Sequence, residues 1–284
     1  MPRLVLTLAV TLLATGAYAH GWDNIDGDDC STRGFRFDGR RAHVIEESFD
    51  APSLRTVKVT NAPVSIRGGN ARTYTITVCK AAADEADLNN IHVAVEGGAL
   101  VSRGPDHDDW TVTYKITAPS GAQLDIESRN GPLALRDIDG NFVVRLKNGP
   151  LALRNVGGNV DAETTNGPIA IDGGSGTMKV KATNGPISVT LDGASWEGGS
   201  LDASTSNGPL SVKVSPTFAS GVLVEAHGRG PISCKAEACG GQLRRSQRDW
   251  TDYDDEPRRF EFGRGPQNVR ISTVNGPVTI KDAE

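Results

Sequence analysis

From Asn130 to Pro186 the chain reads NGPLALRDIDGNFVVRLKNGPLALRNVGGNVDAETTNGPIAIDGGSGTMKVKATNGP, and one tripeptide recurs within it every 18 residues. Working outward, Asn-Gly-Pro occurs at Asn130-Gly131-Pro132, Asn148-Gly149-Pro150, Asn166-Gly167-Pro168, Asn184-Gly185-Pro186, Asn207-Gly208-Pro209 and Asn275-Gly276-Pro277, with a variant at Arg229-Gly230-Pro231. The spacings are 18, 18, 18 and 23 residues, then 22 to the variant. The last gap, 46 residues, equals two further coils of 23. A repeat of this size predicts a solenoid whose coils stack in chain order.

Alignment on the asparagine exposes the local physics. Six, four and two residues before it stand Leu124, Ile126 and Ser128, then Phe142, Val144 and Leu146, then Val160, Ala162 and Thr164, then Met178, Val180 and Ala182, then Leu201, Ala203 and Thr205. After the tripeptide come Leu133 and Leu135, Leu151 and Leu153, Ile169 and Ile171, Ile187 and Val189, Leu210 and Val212. Apolarity at every second position makes each run a half-buried strand. Each coil is therefore two strands bent at a corner, where Asn and Gly tolerate positive φ and Pro starts the next strand.

A two-residue hairpin is the competing reading of Asn-Gly. It would pair each unit with itself, whereas identical residues at identical positions favour equivalent strands stacked on one another, with the asparagines in a ladder. The outward positions agree. Glu127, Arg145, Glu163 and Lys181 alternate in sign three residues before each asparagine, so stacked neighbours attract. The outward residue of the second strand is small throughout: Ala134, Ala152, Ala170, Ser188, Ser211, Ser233 and Thr279. That row predicts a flat face. The fold class expected is all-β, a parallel β-helix or solenoid of 18–23-residue coils, right-handed by the crossover rule.

Composition supports short strands over helices: 37% hydrophobic residues, 33 glycines and 15 prolines. A net charge of −5 with mixed signs argues against a nucleic-acid partner. Residues 1–19 read as a signal peptide, with Arg3 before an apolar run at 4–13 and Ala17-Tyr18-Ala19 as the cleavage site. Cleavage after Ala19 makes His20 the first mature residue, leaves no transmembrane segment and places the protein in the periplasm or outside the cell. The domains follow: 20–42 a polar, largely disordered tail, 43–120 a β module continuous with the solenoid, and 121–284 the solenoid with a charged insertion at about 240–258. Within the module, strands are expected at 56–59, 74–78, 91–95 and 111–116, a short helix at 81–90, and a degenerate copy of the repeat at Asn61-Ala62-Pro63.

Four cysteines in an oxidising compartment point to disulfides. Cys234 and Cys239 are close enough to staple a loop, leaving Cys30 for Cys79, although three connectivities are open in principle. No catalytic residue and no cofactor is expected. Calcium is the alternative at the acidic stretches 23–29, 106–109 and 252–256, none of which fits a full twelve-residue calcium loop. Trp250, Asp252 and Tyr253 in the charged insertion form the candidate contact loop.

One stretch carries a family likeness. Residues 112–126, VTYKITAPSGAQLDI, followed by Ser128-Arg129-Asn130-Gly131-Pro132-Leu133-Ala134-Leu135, resemble the bacterial putative-adhesin family, a domain of unknown function in which a strand ending in Pro-x-Gly leads into Asn-Gly coils. The resemblance covers about residues 50–282. It implies an extracytoplasmic β-solenoid with adhesion as its role and no active site to transfer. The charged insertion and the Cys234/Cys239 pair depart from the family's simplest pattern. The function expected is that of an exported, non-enzymatic binding or scaffold protein of the cell envelope, contacting an envelope component, a glycan or a protein. The alternative is a polysaccharide-active enzyme on the same scaffold.

Overall fold

The computed structural model describes Cys30 and residues 35–228, 230–239 and 257–283. The expected signal peptide, most of the expected tail, Arg229 and the candidate contact residues Trp250, Asp252 and Tyr253 lie outside the described residues. What is described is nearly all β, with one short helix, Glu85–Leu88. The helix is shorter than the expected 81–90, because Ala81 and Ala82 finish the strand Tyr74–Ala82 and Asp84 caps the helix through Ala86 N.

The strands on either side of each Asn-Gly corner form two separate parallel ladders. In the first, Thr56–Asn61, Ala122–Asn130, the later half of Leu133–Asn148, the later half of Leu151–Asn166, Thr177–Asn184 and Leu201–Asn207 follow one another. In the second, Val64–Gly69, the starts of the two long strands, Ile169–Asp172, Ile187–Leu191 and Leu210–Val214 do the same. Register advances by one full repeat at each step: Asn130 sits opposite Asn148, Asn148 opposite Asn166, and Leu135 opposite Leu153. Parallel pairing between units rules out isolated hairpins, which are antiparallel. Leu135 and Leu153 are buried, together with the apolar residues that precede each asparagine, in one continuous core.

The corner requires its glycine. At Gly149 φ is +139° and an added Cβ would fall 2.2 Å from Gly131 O, so any side chain would meet the backbone of the unit below. Beside it the asparagines join side chain to side chain, Asn148 Nδ2 donating to Asn130 Oδ1 at 2.8 Å and Asn166 Nδ2 to Asn148 Oδ1 at 2.9 Å. The row continues through Asn184, Asn207 and Asn275, and at the other end Asn130 donates to Asn61, so the degenerate Asn61-Ala62-Pro63 unit is a full member. The longer spacing before Asn207 is absorbed by a loop that buries Trp196, whose indole donates to Gly176 O at 2.9 Å.

Stacking at the C-terminal end departs from chain order. Gln267–Asn275 pairs directly with Leu201–Asn207, and Val278–Asp282 with Leu210–Val214. The unit containing Gly221–Ala226 and Ile232–Cys234 lies outside them, against the same two strands. The expectation that the 46-residue gap holds two coils stacked in sequence is thus corrected: the last unit is inserted between two earlier ones. The reason is in the corners, since Asn275 matches the Asn207 carboxamide at 3.0 Å and the variant corner at 229 has none to offer. Arg258–Phe262 closes this end antiparallel to Gly221–Ala226. At the other end, Tyr74–Ala82 and His43–Ala51 lie antiparallel beyond Trp110–Pro119. Arg36–Phe37 and Arg40–Arg41 form a small separate hairpin. Disulfides join Cys30 to Cys79 and Cys234 to Cys239.

Candidate binding surfaces

Because register is kept, each outward position becomes a row. On the second ladder Ser65, Ala134, Ala152, Ala170, Ser188, Ser211, Thr279 and Ser233 follow one another in that order, over roughly 34 Å at one strand spacing per step. Ala134 and Ala152 are fully buried, not open as a flat uncovered face would have them, while Ala170, Ser188 and Ser211 are half-exposed. Each alanine is flanked along its own strand by a proline and a longer side chain, Pro132 and Arg136 around Ala134 and Pro150 and Arg154 around Ala152. Arg67, Arg136 and Arg154 stand in register beside this row, and the next position, Asp172, lies 3.9 Å from Arg154.

On the first ladder Lys58, Glu127, Arg145, Glu163 and Lys181 form the alternating row, with Lys58 Nζ 2.9 Å from Glu127 Oε1 and Arg145 3.6 Å from Glu163. The hydrogen bond from Lys58 to Glu127, aided by the charge of that carboxylate, raises the lysine's pKa. Arg145 also reaches across to Asp161 at 3.2 Å. Such exposed pairs contribute little stability and mainly define register and surface potential.

Two grooves flank these rows. One, of about 830 Å³, runs along the start of the first ladder between Leu54, Arg72 and Pro119 on one wall and Val143, Asp161 and Lys179 on the other. The second, of about 1190 Å³, lies at the N-terminal end of the same ladder. The acidic stretch at 106–109 borders it. There His107 Nε2 lies 3.3 Å from Asp87 Oδ2 and its Nδ1 accepts from Asp109 N, so the imidazole ties the stretch to the helix. Among the described residues no three His, Cys, Asp or Glu side chains gather as metal ligands.

The structure brings the corner residues Asn130, Asn148, Asn166, Asn184, Asn207 and Asn275 into one line; of the three acidic stretches, 23–29 and 252–256 lie outside the described residues. The chain is similar to bacterial proteins named as adhesins. Among solved structures, a putative adhesin from Bacteroides fragilis is 12% identical over 85% of this chain and 97% of that one, with a TM-score of 0.33. A putative adhesin from Parabacteroides distasonis is 11% identical over 85% and 97%, with a TM-score of 0.33. A putative cell adhesion protein from Clostridium sporogenes is 11% identical over 85% and 100%, with a TM-score of 0.30. No family model and no curated protein matches the chain.

Sequence reading missed three features. Asn141 and Asn159 form a second carboxamide pair at 2.8 Å, and Asn155 donates to Asp137 at 2.9 Å; both repeat the 18-residue period and were legible in it. Glu225 is buried between Arg259 and Arg270, and its partners come from a strand beyond the charged insertion and from the inserted last unit, so no spacing announces it. No helix among the described residues is long and apolar enough to cross a membrane.

Proposed function

We propose that this chain is an exported, non-enzymatic β-solenoid of the cell envelope, adhesin-like in role, that presents its stacked rows as a rigid binding surface to an envelope glycan or protein. In this reading residues 1–19 are the cleaved signal, 20–42 a tail, 43–120 a capping module and 121–284 the solenoid. The observation that carries it is the register of the two parallel ladders, which turns each outward position into an unbroken row. Repeat stacks of this kind contribute extended surfaces whose geometry is fixed by neighbour contacts, which lowers the ordering cost of binding. Two disulfides fit an oxidising compartment. The half-exposed serines of the second-ladder row, Ser188 and Ser211, offer hydroxyls on a smooth ground suited to a flat polar partner.

The test is sedimentation of the chain from His20 onward with its own isolated envelope fraction. Ser188→Lys with Ser211→Lys places two long cations on the row without touching the core, and the expected result is loss of co-sedimentation with an unchanged circular dichroism spectrum. Co-sedimentation unaffected by this pair, or glycan turnover by the parent in a hydrolysis panel, would replace this reading.

A further inference from the structure

The two ladders end differently on the N-terminal side. The second continues from Val64–Gly69 onto Trp110–Pro119 and then onto the two antiparallel strands. The first stops short. Thr56–Asn61 pairs along its length with Ala122–Asn130, but on its other side only Thr56 and Val57 meet partners, Ala99 and Leu100. Tyr114 occupies the place that Val64 and Leu133 hold after their corners, yet it is preceded by Thr111-Val112-Thr113 where they follow Asn-Ala-Pro and Asn-Gly-Pro. Without a corner the strand runs straight, antiparallel to Tyr74–Ala82, and the rung that would cover 58–61 is not made. The groove of about 1190 Å³ occupies that place, lined among others by Lys58, Thr60, Asn61, Asp106, Asp108 and Trp110.

Strand alternation shows which backbone groups face it. Arg55 O accepts from Asp125 N and Thr56 N donates to Gly98 O, so from Thr56 to Val59 odd-numbered residues bond toward Ala122–Asn130 and even-numbered ones toward the groove. Past the rung between Val57 and Leu100, the C=O of Lys58 and the N–H of Thr60 point into it, and among the described residues no strand pairs with them; the C=O of Thr60 turns to the other side, where Asn61 pairs with Asn130. The carboxamide row ends here as well. Every Nδ2 donates one step toward this end, and Asn61, the last acceptor, borders the groove. A spaced N–H and C=O on a strand edge are matched by another extended strand. The side chains add a charge preference: Asp106 and Asp108 are exposed acids, whereas Lys58 is already engaged by Glu127.

We infer that this slot binds an extended peptide segment bearing a basic side chain, added parallel to Thr56–Asn61 as the missing rung of the first ladder. The site is separate from the second-ladder face proposed above, so either can fail without the other. The probe is a fluorescein-labelled tetrapeptide, Ser-Val-Lys-Asn, which fits the span 58–61 left open beyond the rung at Val57, keeps the alternation of that span and puts Lys at the Thr60 register and Asn at the Asn61 register. Controls are the same peptide with Glu for Lys and a version N-methylated at alternate amides. Anisotropy with the full chain from His20 is expected to show saturable binding that weakens about tenfold or more with Glu and vanishes on N-methylation. It also vanishes in Thr60→Pro, which removes an N–H facing the groove and leaves the bonds to Ala122–Asn130 in place. The N-methylated arm decides the matter without any variant, should the proline disturb folding. Binding that survives N-methylation, or no saturation up to about 1 mM peptide, overturns the proposal. A concentration-dependent dimer of the peptide-free protein, abolished by Thr60→Pro, would give the slot to a second copy and overturn it equally.

Discussion

At the scale of single residues, two kinds of side chain hold this chain together, and they respond differently to conditions. The asparagine row is neutral: each carboxamide donates to one neighbour and accepts from the next, as Asn166 does with Asn148 and Asn184, and no pH in the physiological range alters it. Glu225 is charged and buried, with Arg259 Nε at 2.9 Å and Arg270 Nε at 2.7 Å. Burial by itself raises the pKa of this carboxylate, but hydrogen bonds from Arg270 and Arg259 outweigh it and hold the group below the ordinary glutamate value of 4.5. A depressed folded pKa contributes stability that is fully present above the unfolded value and is lost as pH falls through the folded one. Glu225→Gln is therefore expected to lower stability at pH 7 by on the order of 1–2 kcal/mol, toward the low end for charged hydrogen bonds because both guanidiniums stay more than half exposed. Urea unfolding of parent and variant at descending pH should show the gap closing below 4.5. A gap that is constant with pH would mean that the clamp acts by packing alone.

At the scale of elements, the inward pattern was fully legible: Leu133, Leu151, Ile169, Ile187 and Leu210 stand in one buried line because apolar period and corner period coincide. Both cysteine pairs follow the favoured connectivity. What the repeat could not reveal is the order of stacking at the C-terminal end, because a ladder position depends on which corner fits which, and the variant at 229 lacks the carboxamide that Asn207 receives from Asn275. The missing rung beside Thr60 was hidden for the same reason, being the lack of a corner in an otherwise good strand. Insertion of the last unit has a consequence. Gly221–Ala226 and Ile232–Cys234 rest on Gln267–Asn275 and Val278–Asp282, not on the unit that precedes them in sequence. Ending the chain after Lys235 should therefore unprotect residues 221–234 and those amides of 201–214 that donate to the removed strands, while amides up to Leu191 remain protected, as hydrogen exchange followed by mass spectrometry would show. Retained protection at 221–226 would mean that this strand can dock directly on Leu201–Asn207.

At the scale of the whole molecule, the stack behaves as a nearly one-dimensional array, in which each unit touches chiefly its two neighbours and stability is a sum of unit and interface contributions. The three units of 18 residues are interchangeable at their corners: Gly131, Gly149, Gly167 and Gly185 each lie against the backbone of the unit below in the same way, and the asparagines bond with the same polarity. Removal of residues 149–166 joins Asn148 to Gly167 and gives the new neighbours the contacts the old ones had. Leu133 and Leu135 then meet Ile169 and Ile171, Phe142 and Val144 meet Met178 and Val180, and Asn184 donates to Asn148. The outward rows fare almost as well, with Arg136 brought against Asp172 and Arg145 against Lys181, the second a like-charge contact at the surface that costs a few tenths of a kcal/mol. The shortened chain is expected to fold as a monomer with a strand-type circular dichroism spectrum and one cooperative transition, at a stability changed by the contribution of one unit and one interface. Removal of residues 149–157 breaks the period instead. It deletes one corner and the turn at Asn155, so that Asn166 follows Asn148 by nine residues, half a coil, and cannot return over it; Val160 and Ala162 fall at the second-ladder positions of Leu151 and Leu153 and the first ladder loses its rung, so this variant should be insoluble or unfolded. If the 18-residue deletion fails as badly as the 9-residue one, equivalence of the units is not what holds the stack in register.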